Sequence, residues 1–102
     1  MSEGKDDVER LVELLGEEQT WRGRYFGHLG QASVAQTEIE YITNLLKHNG
    51  RKMAEYERKY FERRLQKAKA RKTYHENKAE EARMRLRDIK EQIEQITRRR
   101  RL

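Results

Sequence analysis

Proline occurs nowhere in this chain of 102 residues. The one residue type that breaks a helix from within, by lacking an N–H and clashing with the preceding turn, is missing. Ala, Glu, Lys, Leu and Arg fill 55 of the 102 positions, the composition of long helices. Leu, Ile, Val and Phe together supply only 19. So few apolar side chains bury little area in a monomer of this size. The fold class that follows is all-α, two short amphipathic helices before one long basic helix, with oligomerisation as the remedy for a small core.

Residues 1–50 read as an acidic helical region. Over 6–19, Val8, Leu11, Val12 and Leu15 fall at i, i+3, i+4 and i+7 on one helix face, and Asp6 with Glu9 resembles a capping box. Over 21–32, Trp21, Tyr25 and Phe26 mix with Gly23, Gly27 and Gly30, which predicts an aromatic and glycine linker. Ser33 with Gln36 signals a second helix start, and Ala35, Ile39, Ile42 and Leu46 carry that helix to about residue 48. Asn49 and Gly50 predict a bend, either residue suiting a left-handed cap.

Nothing interrupts helix over 51–97, a length of roughly 70 Å at 1.5 Å per residue. A heptad fits it, with Leu65, Lys72, Ala79, Leu86 and Ile93 alternating with Phe61, Ala68, His75, Ala82, Ile89 and Ile96. The stretch 82–96 keeps the alternation of four and three throughout, a coiled-coil pattern. Ala82, Leu86, Ile89, Ile93 and Ile96 are therefore the expected oligomer interface, aided by the apolar faces of the short helices. Met53, Tyr56 and Tyr60 form an offset stripe expected to pack on those helices. Residues 98–102 form an arginine-rich tail.

Charge is sorted along the chain. Residues 1–50 hold 5 Lys/Arg against 9 Asp/Glu, and residues 51–102 hold 19 against 9. Residues 58–72 carry 8 basic side chains and the single acid Glu62. Elsewhere on the long helix acids alternate with bases at pairing distance. Over 58–72 that compensation is missing, which points to a polyanionic partner. Arg63, Lys67, Arg71 and Lys78 share a helix face, and Lys52 and Lys59 extend it upstream. Arg58, Arg64, Lys69 and Lys72 complete the strip, and Arg98, Arg99, Arg100 and Arg101 exceed what a helix dipole needs at its C-terminal end. Glu9, Glu13 and Glu17 lie on one face of the first segment and are placed to lie against such a strip and compete with phosphate.

Catalysis finds no support. There is no cysteine, and His28, His48 and His75 fall in three separate segments without a metal-ligand spacing, so no catalytic residue, metal or cofactor is expected. The glycines of 21–32 lack the Lys-Ser/Thr of a phosphate loop. Basic leucine-zipper spacing is also absent: Asn44 and Lys52 are suitably placed, but Glu62 and Lys69 stand where leucines must follow. Trp21, Tyr25 and Phe26 can stack on unpaired bases beside Arg22 and Arg24, or plug the small core. No apolar run reaches membrane-spanning length, and the polar, acidic start is unlike a signal peptide. The expectation is a soluble intracellular protein, nuclear if its source is eukaryotic or viral. It contacts the backbone of duplex RNA or DNA without sequence preference, for packaging, protection or replication and recombination. The other reading is a structural adaptor that docks its basic face on an acidic protein.

Overall fold

The computed structural model describes residues 3–101 and the side chains of residues 6–100. These residues form α1 (Glu3–Asn49) and α2 (Glu55–Arg101), joined through a 3-10 turn at Gly50–Lys52, with no strand among them.

The reversal is built from local chemistry. Lys47 and His48 in the last turn of α1 suit its negative dipole end. Asn49 then adopts φ −122° and ψ −1°, and no described residue has a positive φ, so the expected left-handed cap is replaced by the 3-10 turn. Met53 is extended and returns its N–H to the Gly50 carbonyl at 3.4 Å. Ala54 opens α2: its carbonyl accepts the Arg58 N–H at 3.1 Å, and the Glu57 carboxylate accepts the Ala54 N–H at 3.4 Å. This is half of a capping box, because Ala54 has no side-chain acceptor for the other half.

The two expected short helices and their linker are instead the single helix α1, which corrects the reading of 21–32. Gly16, Gly23, Gly27 and Gly30 all lie inside it. One glycine costs a helix about 1 kcal/mol relative to alanine, which packing along 47 residues outweighs. The capping signals have other uses. The Ser33 carbonyl accepts the Thr37 hydroxyl at 3.2 Å, Gln36 donates to Glu40 at 2.9 Å, and Asp6 sits within α1.

The chain divides into two compact units, Met1–Phe26 with Ala79–Leu102, and Gly27–Lys78. In the first unit the two helical segments run antiparallel, with covered positions 7, 11, 14, 18, 21 and 25 on α1 and 79, 82, 86, 89, 93 and 96 on α2. Leu14 and Ile89 are fully buried and join Ile96, with Leu11, Trp21 and Ile93 packed around them. Ala82, Leu86, Ile89, Ile93 and Ile96 are thus covered, wholly or in part, by their own chain. This corrects their assignment to an interface between copies. Of the expected inward set Leu11 packs on this cluster beside the buried Leu14, whereas Val8, Val12 and Leu15 face solvent.

In the second unit, positions 28, 32, 35, 39, 42 and 46 of α1 and 61, 65, 68, 72 and 75 of α2 are covered at the same alternating spacing. His28 and His75 meet through their Nδ1 atoms at 2.9 Å. Seven residues toward the turn along each antiparallel helix, Ala35 stands level with Ala68, both buried. Small side chains at that level permit close approach of the two backbones. Met53 is half-buried, but Tyr56 and Tyr60 are exposed, which corrects the expected stripe.

Among the described residues, no helix is long and apolar enough to cross a membrane.

Candidate nucleic-acid interface

Folding redistributes the charge. The first unit contains 12 Lys/Arg and 12 Asp/Glu, and the second contains 12 and 6. The whole net charge of +6 therefore belongs to Gly27–Lys78. The acidic start of α1 and the basic end of α2 lie in the same unit and neutralise each other.

Ion pairs give that neutralisation its detail. Arg99 reaches Asp7 at 2.7 Å, Arg98 pairs with Glu94, and Arg83 pairs with Glu80 at 2.6 Å. The hydrogen bond from Arg83 holds the Glu80 carboxyl below its usual 4.5. Glu13 pairs with Arg10 at 3.1 Å on its own helix. Arg98 and Arg99, expected to contact nucleic acid, are thus engaged within the chain. Arg100 is exposed on the same unit, and the Arg101 side chain lies outside the described residues. Trp21 packs on the Leu14 and Ile89 cluster, with the Arg24 guanidinium 4.5 Å and that of Arg85 6.0 Å from its ring. Tyr25 is half-buried, edge-on to the exposed Phe26 at 5.2 Å. Of the three rings expected to stack on bases, Trp21 packs on the core, Tyr25 is half-buried and Phe26 is exposed.

The second unit splits the expected strip in two. Arg64 and Arg71 turn toward α1 and clamp Glu38. Arg64 donates to one carboxylate oxygen from Nε at 3.2 Å and Nη2 at 2.6 Å, and Arg71 donates to the other. Glu38 is mostly covered, 19% accessible, while both guanidiniums are about half exposed. Hydrogen bonds from Arg64 and then Arg71 hold its carboxyl below 4.5. The same bond, with a second from Arg64 Nη1 to the Tyr60 hydroxyl at 3.2 Å, pushes Arg64 upward. Sequence spacing gave no sign of Glu38, which lies 26 and 33 residues from its partners.

The remaining cations are differently placed. Arg58 and Lys59 make intrahelical pairs with Glu62 at 3.9 Å and Glu55 at 3.2 Å. Such exposed pairs contribute little and exchange readily. Arg63, Lys67 and Lys69 are exposed, Lys72 is half-covered, and none of these four makes an ion pair among the described residues. Lys78 is half-covered, its ammonium 5.9 Å from the Tyr74 ring. Lys52 is exposed in the turn beside Arg51, a cation the strip should have included.

His28 and His75, separate in sequence, are brought together here. One ring must donate and the other accept. Among the described residues no three His, Cys, Asp or Glu side chains are grouped to hold a metal ion. No known protein family, curated protein or solved structure matches the chain.

Proposed function

We propose that this protein binds nucleic acid through its phosphate backbone without reading sequence, and that Gly27–Lys78 is the binding unit. Its helix pairs act as coiled-coil segments that hold the cations in place. The observation that carries this reading is the confinement of the whole net charge of +6 to one unit while the other is neutral. An exposed face with that balance attracts a polyanion and gains free energy by releasing its condensed counterions. Arg63, Lys67 and Lys69, exposed and without ion pairs among the described residues, make the first contacts, with Lys52, Lys59 and Lys72 in support. Arg64 and Arg71 can join if phosphate displaces Glu38. Packaging, protection or an accessory role in replication or recombination fits such binding.

Fluorescence anisotropy with 20-nucleotide RNA and DNA at about 50 and 200 mM salt tests it. Contact with about four phosphates should weaken binding roughly 100-fold between those salt concentrations. Changing Arg63, Lys67 and Lys69 together to glutamine should abolish most of it, with helicity intact by circular dichroism. No binding of any substrate by wild type at 50 mM salt would overturn the reading and leave an acidic protein as the partner of this face.

A further inference from the structure

We infer that the second unit takes single-stranded nucleic acid in preference to duplex, by stacking unpaired bases on an outward stripe of tyrosines. The inference rests on the nucleic-acid reading above and names its substrate class. Tyr56, Tyr60, Arg63, Lys67 and Tyr74 succeed one another along α2 at spacings of four, three, four and seven. They lie on an exposed flank of α2, where Tyr74 stands edge-on to His28 of α1 at 6.3 Å and Tyr60 and Lys67 border the Glu38 clamp. The three rings are 75%, 50% and 54% accessible. Tyrosine is a weaker helix former than Lys, Glu or Ala, so nothing about forming α2 calls for it at solvent-facing positions.

The second unit leaves these rings outside while the side chains it buries are Ala32, Ala35, Ala68 and Ile42, although a larger core would stabilise it. Cations interleave them: Lys59 and Arg63 stand between Tyr60 and its neighbouring turns, and Lys67 lies between Tyr60 and Tyr74. From Tyr56 to Tyr74 the stripe runs about 27 Å along the helix. Two of the rings are held in place. Tyr60 accepts a hydrogen bond from Arg64 at 3.2 Å and meets Phe61 edge-on at 5.3 Å. Tyr74 lies edge-on to His75 at 5.0 Å and beside the Lys78 ammonium. Every base has a face that stacks on an aromatic ring, so this arrangement favours unpaired bases without selecting a sequence. In a duplex those faces are already stacked, and only the cations can act.

The test compares single-stranded and duplex forms of the same 20-nucleotide RNA and DNA. The proteins are wild type, the triple variant Tyr56→Leu, Tyr60→Leu, Tyr74→Leu, and the corresponding triple phenylalanine variant. Stacking predicts that wild type prefers single strands. The leucine variant should lose about 30-fold or more on single strands and less than twofold on duplex, because its cations are intact. The phenylalanine variant should keep the single-strand preference, since it retains the ring faces. Equal single-strand affinity in wild type and the leucine variant, or a wild-type preference for duplex, overturns the inference and leaves backbone binding standing. Failure of wild type to bind either form overturns both.

Discussion

Replacing Gly27 and Gly30 together by alanine puts the continuity of α1 to a direct test. At both positions a Cβ would find no atom within 4 Å, and neither has a positive φ. Each alanine therefore enters open space on a helix already formed. It removes backbone freedom from the unfolded chain and raises helix propensity, by about 0.5–1 kcal/mol per site. The pair should add about 1–2 kcal/mol. For a chain of this length each kcal/mol moves the melting temperature by about 4–8 °C, so the pair should raise it by about 5–15 °C. Thermal unfolding followed at 222 nm reads this, with helix content unchanged or slightly higher. If 21–32 were a linker using glycine in a non-helical conformation, the substitution would lower the melting temperature. Gly27→Pro separates the two cases again: inside a helix it costs about 3 kcal/mol or more, and in a linker far less.

Ala54→Ser should complete the capping box that Glu57 half-forms, raising stability by about 1 kcal/mol in urea unfolding, and Glu57→Ala in that background should cancel most of the gain. Glu38 sets a sign for acid. Its folded carboxyl lies below 4.5, so its contribution is present above that value and is lost as pH falls through the folded one. Glu38→Gln should flatten the acid limb of stability against pH and, by freeing Arg64 and Arg71, tighten binding of a polyanion. An unchanged slope would show that the clamp does not form in solution. Nitrogen-15 spectra of the imidazoles at neutral pH should find His28 and His75 in opposite tautomers, one carrying its proton on Nδ1 and the other on Nε2. Ile89→Ala, at a fully buried position, should cost 2–5 kcal/mol, whereas Val12→Ala at 66% accessibility should cost under about 1.

The all-helical class and the reversal after Asn49 were legible because they depend on local chemistry: no proline, strong helix formers, and Asn and Gly at one point. The sequence pattern also picked Ala82, Leu86, Ile89 and Ile96 as covered positions, but not what covers them, since a heptad looks the same whether its partner is another copy or the other half of a hairpin. α1 was harder. Its covered positions include Asp7, Glu18 and His28, so the apolar pattern along them is weak, while Val8, Val12 and Leu15 draw a cleaner stripe on the wrong side. Long polar side chains can flank a narrow helix pair with their heads in water, which makes such positions hard to recognise. Glycine is a weak breaker in α1, its cost being small beside the packing of a long helix. Glu38 was invisible because its partners become neighbours only once the chain reverses, and with it went the division of the basic strip.

The unequal sharing of charge means that added salt acts on the two units with opposite sign. In the neutral unit, screening weakens pairs such as Asp7 with Arg99 and removes a little support. In Gly27–Lys78, the same ions shield an excess of six positive charges from one another and relieve a strain that dilute buffer leaves in full. That repulsion is largest at low ionic strength, so Gly27–Lys78 is the unit that added salt supports. On the proposed function, a phosphate chain bound here would do locally what concentrated salt does, and would tighten the fold that presents this face.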